Sequence, residues 1–151
     1  MTQPIPNPNQ PLAPYIIVRG APAAIEFYRK AFGAKELFRL KEPSGKIGHA
    51  ELEIGGARLL LADEYPDFGA LSPVSVGGTP VAIHLYVGNV DELVKSAVDA
   101  GATILRPLRD EFFGDRTATL SDPFGHKWHL ATRKEDVSPE EMQRRMDAAY
   151  T

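Results

Sequence analysis

The first ordered run, Tyr15-Ile16-Ile17-Val18, is β-branched and aromatic, and after it Ile25, Tyr28 and Phe32 recur at helical spacing. The pattern predicts a strand followed by a helix over 22–32, with Pro22 in its first turn and Gly33 at its stop. Three further strand-like runs follow, at 36–41, 49–54 and 58–62, separated by the Pro43-Ser44-Gly45 turn and the Gly55-Gly56 hairpin.

The same order then begins again. Residues 81–87 read as a strand, and Asn89 with Glu92 forms a helix-start signature. Leu93, Ala97 and Ala100 supply an apolar stripe that ends at Gly101, and strands are predicted at 103–105, 116–120 and 127–131. Val18 and Val87, like Gly56 and Gly125, lie 69 residues apart, which marks an internal repeat of a βαβββ unit.

Three segments fall outside the repeat. Pro4, Pro6, Pro8, Pro11 and Pro14 bias residues 1–13 toward a flexible, extended arm. The 64–80 stretch, broken by Pro66, Gly69, Pro73, Gly77, Gly78 and Pro80, reads as a long irregular loop that closes a cleft as a lid or packs across an interface. Ser138-Pro139-Glu140-Glu141 opens a short C-terminal helix within the 133–151 extension. The expected fold class is α+β: modules 14–63 and 81–132 within one 14–132 domain, forming a curved mixed sheet around a cleft.

Strand parity divides the faces. Ile16, Val18, Ile83, Leu85 and Val87 should face the helices, as should Ala50, Leu52, Ile54 and Trp128. The opposite face then carries Tyr15, Ile17, Ala82, His84 and Tyr86, together with His49, Glu51, Glu53, Thr117, Thr119, Lys127 and His129. That face is unusually polar for a sheet. His126 falls in a turn and is expected at the surface.

Charge and composition narrow the function classes. The chain has 151 residues, is 43% hydrophobic and carries a net charge of −3, which fits one globular domain and argues against a nucleic-acid partner. It has no cysteine, so a metal would have to be held by histidine and carboxylate. No apolar run is long enough to span a bilayer, and the first residues do not resemble a secretory leader. A cytoplasmic protein with no membrane partner is expected.

The segments AAIEFYRKAFGAKE, VGNVDELVKSAVDAGATI and LSDPFGHKWHLAT resemble the vicinal oxygen chelate superfamily of glyoxalases, bleomycin-resistance proteins and dioxygenases, and within it the glyoxalase-like PhnB branch. The resemblance covers residues 12–132. It implies a cleft built from two modules, a small-molecule ligand and a homodimer. It also places the family's four metal-ligand positions at Ala13, Leu60, Ala82 and His129, of which only His129 can coordinate.

Three functions follow as alternatives. One is a metal-dependent lyase or isomerase acting on a small carbonyl compound, with a displaced divalent metal drawn from His49, Glu51, His84 and His129. In that reading His129 and His49 are the metal ligands, Glu51 moves the proton, and Tyr15, His84 and Tyr86 bind substrate. The second is a metal-free protein that binds a drug or metabolite. The third is a partner-binding domain using the C-terminal helix and the proline arm.

Overall fold

Each module builds one four-stranded sheet, and the two sheets repeat the same topology. The computed structural model describes residues 2–151. The first module contains β1 (Tyr15–Val18), α1 (Ala21–Phe32), β2 (Lys35–Lys41), β3 (Ile47–Ile54) and β4 (Ala57–Asp63). After a 3-10 turn at Pro66–Phe68 and the short helix α2 (Pro73–Val76), the second contains β5 (Ala82–Tyr86), α3 (Val90–Ala100), β6 (Thr103–Asp110), β7 (Asp115–Ser121) and β8 (Lys127–Arg133). The helix α4 (Pro139–Ala149) follows. The strand orders are β1-β4-β3-β2 and β5-β8-β7-β6, with the first pair of each sheet parallel and the others antiparallel.

The architecture is α+β and mixed as expected, but the modules form two sheets rather than one continuous curved sheet. The long loop differs too. Pro66 and Pro73 each start a helical turn, a position where proline's missing N–H costs nothing. Ser72, fully buried, caps α2 by accepting from the Ser75 N–H.

What joins the modules is a shared core between the helices. From α1 it takes Ile25, Phe27, Tyr28 and Phe32; from α3, Val90, Val94 and Ala97, with Leu93 and Ala100 only partly buried against it. The stripe on α3 is therefore shifted by one residue from Leu93 toward Val94. Trp128 is 1% exposed and packs against Phe32 and Tyr28, in agreement with its parity. The Ser96 hydroxyl on α3 donates to the Lys30 carbonyl on α1.

The helix starts use one device at positions 69 residues apart. Gly20 precedes α1 with φ 94° and offers no side-chain cap. The buried Asp63, at the end of β4, supplies it by accepting from the Gly20, Ala21 and Ile47 N–H groups at 3.0, 2.7 and 2.8 Å. In the second module Thr132 takes that place and accepts from the Val90 N–H at 2.8 Å. The proline arm is pinned at Gln10, whose amide exchanges two hydrogen bonds with the Arg58 backbone on β4. No helix among the described residues is long and apolar enough to cross a membrane.

Candidate functional site

Parallel pairing of the first and last strand of each module brings equivalent positions into register. Tyr15 on β1 lies opposite Leu60 on β4, and His84 on β5 lies opposite His129 on β8. The third strands add Glu51 beside Leu60 and Thr119 beside His129. Each module thus carries a polar cluster on the sheet face opposite the helices.

In the first module the cluster is a chain of hydrogen bonds. The Tyr15 hydroxyl is 2.9 Å from His49 Nδ1, and His49 Nε2 is 2.9 Å from Glu51 Oε2. Arg58 donates to the second oxygen of Glu51 at 2.8 Å. The hydrogen bonds from His49 and Arg58 outweigh burial and hold the Glu51 carboxyl below its ordinary value. An ionised Glu51 requires an N–H on Nε2, and in the neutral ring the Nδ1 lone pair is then the acceptor for the Tyr15 hydroxyl. Burial, and then the Glu51 charge, push the Tyr15 phenol up, so it stays protonated at neutral pH. The His49 ring lies between Tyr15 and Phe38, at centroid distances of 5.4 and 5.7 Å.

The second module's cluster is richer in cations. His84 lies between Tyr86 and His129, at centroid distances of 4.7 and 5.9 Å. Arg106 on β6 donates to Glu111, Thr117 and Thr119, at 2.9, 3.0 and 3.4 Å. These contacts bury Thr117 to 2% exposure, so this position is a packed floor rather than open cleft surface. Burial, and then the Arg106 and His84 charges, lower the His129 imidazole. Burial alone would raise Glu111, but its Arg109 and Thr117 hydrogen bonds and the two arginine charges hold it low. Tyr86 donates to Asp115 at 2.5 Å, and that bond raises its phenol.

The residues singled out in the sequence therefore fall into two groups. Tyr15, His49 and Glu51 come together in one sheet, and His84, Tyr86 and His129 in the other. The convergence of His49, Glu51, His84 and His129 on one displaced metal does not occur; among the described residues no three His, Asp or Glu side chains are placed to hold an ion. The family's own ligand positions do not fit a divalent metal either, since Ala13, Leu60 and Ala82 have no lone pair to offer. Alternation assigns a face within a strand, but not which faces of different sheets oppose one another.

Sequence reasoning missed Arg58, Phe38 and Arg106. Arg58 was within reach, because it shares the Glu51 face by parity with Leu60. Arg106 was not, because the strand was read only over 103–105, whereas β6 continues to Asp110.

His126 is not a surface residue. It is half-buried, and its Nε2–H donates to the Ile17 carbonyl at 2.8 Å, across the seam between modules. A cavity of about 390 Å³ opens at that seam, lined by Tyr15, Ile17, Leu71, Val76, Val81 and Ile83 among others. The α2 segment forms one of its walls. Arg19 and Ser75 fasten it to Glu64, which also accepts from the Ser72 N–H.

Comparison with known proteins agrees with this architecture. Residues 10–130 match the sequence profile of the Glyoxalase/Bleomycin resistance protein/Dioxygenase superfamily. An uncharacterized protein of Mycobacterium bovis is 42% identical over 145 residues, which cover 94% of this chain and 95% of that protein. Among solved structures, TioX from Micromonospora sp. ML1 is similar with a TM-score of 0.63 and 25% identity, over 84% of this chain and 98% of TioX. An Arabidopsis thaliana gene product superimposes with a TM-score of 0.65 and 26% identity, over 80% of this chain and 96% of its own. With the βαβββ repeat, its two matching sheets and this profile match in agreement, the chain belongs to the glyoxalase/bleomycin resistance protein/dioxygenase superfamily.

Proposed function

We propose that the protein binds a small organic molecule on the polar sheet faces and does so without a resident metal at the family's ligand positions. The observation that carries this reading is the register pair Tyr15–Leu60 against His84–His129. The position that presents an imidazole in the second module presents a leucine in the first, and a leucine beside a tyrosine makes a ligand-contacting surface rather than a coordination shell. The exposed rings of Tyr15 and Tyr86 add planar surface with a polar tip, suited to an aromatic or conjugated ligand.

A second copy of the chain is the partner this reading favours. Phe38 and Leu40 on β2, with Ile104 and Leu105 on β6, are exposed apolar side chains on outer strands, which a homodimer would cover. Light scattering on the purified protein tests this directly, and a monomer at micromolar concentration would remove it.

Elemental analysis of protein purified without a histidine tag tests the metal-free reading, with zinc, nickel, iron and manganese added in parallel. Near-stoichiometric metal that disappears in His129→Ala would overturn it in favour of a metal-dependent lyase. Thermal-shift measurements with a panel of aromatic carbonyl compounds test the binding. The expected result is a raised melting temperature for the wild type and a reduced shift for Tyr15→Ala and Tyr86→Ala.

A further inference from the structure

A second, smaller recess lies between the modules, and members of both polar clusters line it. Its volume is about 190 Å³. Arg58 comes to it from the Glu51 cluster of the first module, and His84 from the imidazole cluster of the second. Most of the remaining wall is apolar and includes Leu59, Ile83 and Leu85, while Gln10 of the proline arm adds one polar side.

Arg58 is fixed at both ends. Its backbone exchanges two hydrogen bonds with the Gln10 amide, and its Nη1 donates to Glu51 at 2.8 Å. That ion pair uses one nitrogen of the guanidinium. Nε and Nη2 form an edge with two parallel N–H bonds that no group among the described residues occupies, and the side chain is 42% exposed. Two parallel donors on a planar cation match the two oxygens of a carboxylate. His84 is exposed and held by ring contacts with Tyr86 and His129 rather than by a hydrogen bond among the described residues. Either neutral tautomer of its ring offers one N–H. The recess therefore combines unengaged donors from two modules with an apolar wall.

We propose that this recess binds a small monocarboxylate, with its carboxylate held by Arg58 and His84 and its apolar body against Leu59, Ile83 and Leu85. This rests on the small-molecule reading above and names the class of ligand. The size limits the body: a cavity of about 150 Å³ is enough for a benzene ring, so the recess takes one ring or a short branched chain. Glu51 limits the charge. Its carboxylate already shares the guanidinium, so a second single negative charge is tolerated better than the double charge of a phosphate monoester.

Benzoate is the probe, titrated into the isotope-labelled full chain and followed by NMR. Saturable shifts are expected in the backbone amides of Arg58 and His84 and in the Gln10 side-chain amide. Benzamide, which has the same shape without the charge, should bind about tenfold more weakly, and phenyl phosphate should also bind more weakly than benzoate. Arg58→Gln should lose about tenfold in affinity. Glu51→Gln removes the competitor for the guanidinium and should gain about threefold, a tightening that a merely structural role would not give. Arg144→Gln, on the exposed face of α4, should bind as the wild type does and controls for net charge. Circular dichroism confirms that each variant is folded. Equal binding of benzamide, or unchanged affinity in Arg58→Gln, overturns the carboxylate contact. Tighter binding of phenyl phosphate overturns the monoanion, and shifts confined to other parts of the chain overturn the recess. If benzoate does not bind at all the proposal fails, but the small-molecule reading falls with it only if the whole thermal-shift panel is also without effect.

Discussion

Tyr28, in the middle of the first helix, donates its hydroxyl to Asp122, 94 residues further along the chain, at 2.5 Å. Asp122 also accepts from the Trp128 indole at 3.0 Å and from the Phe124 and His126 N–H groups at 2.9 and 3.0 Å. One carboxylate therefore shapes a tight turn, anchors the largest core side chain and binds the two modules together. Burial, and then the Asp122 charge, raise the Tyr28 phenol well above its ordinary value, so it remains a donor throughout the accessible pH range.

Asp122→Ala should accordingly be among the most damaging single changes outside the polar clusters. It strands a buried hydroxyl and a buried indole N–H, and the expected loss is about 2–4 kcal/mol in urea unfolding. Tyr28→Phe leaves the other three bonds in place and should cost about 1–2 kcal/mol.

Gly125 holds φ 90°, and a Cβ there would lie 2.8 Å from the Cβ of Pro73. Gly125→Ala should therefore both strain the turn and push α2 away, at a cost of about 1–3 kcal/mol. Limited proteolysis checks the second effect: cleavage between residues 64 and 80 should become faster than in the wild type.

Glu64 is held at about 2, against an ordinary 4.5, by hydrogen bonds from Ser75, Arg19 and Ser72. Because its folded value is depressed, the stability it contributes is fully present above about pH 4.5 and is lost as the pH falls toward 2. Thermal melts of wild type and Glu64→Gln should differ most near neutrality and converge through that acid window.

The two helix-start caps should be unequal. Thr132→Val removes the acceptor for one N–H group and should cost about 1 kcal/mol, whereas Asp63→Ala abandons three and should cost about 2–4 kcal/mol. Chemical denaturation of the two variants side by side measures the difference.

How much of this was legible beforehand depended on the range of the interaction. Period and parity are local, and they placed Trp128 in the core and put Tyr15, His49 and Glu51 on one face. The repeat fixed the order of elements and, through its 69-residue spacing, the matching sheets. Interactions between distant segments left no such trace. Nothing near His126 in sequence announces the Ile17 carbonyl, and nothing near Tyr28 announces Asp122. Pro66 and Pro73 in the 64–80 segment were read as breakers, although proline at a first turn starts a helix as readily as it ends one. The alternative of a metal shared by His49, Glu51, His84 and His129 was likewise open to parity alone, which does not say that β3 lies in one sheet and β5 and β8 in the other.

The matched registers of Tyr15–Leu60 and His84–His129 have one more consequence. Two identical modules would make a molecule with no direction, able to receive a guest equally well either way round. Here the backbone has kept that symmetry while the side chains have abandoned it, with a leucine opposite a tyrosine at one end and two imidazoles opposite each other at the other. The protein has acquired a head and a tail, and a guest reaching from one to the other would be read in a single orientation.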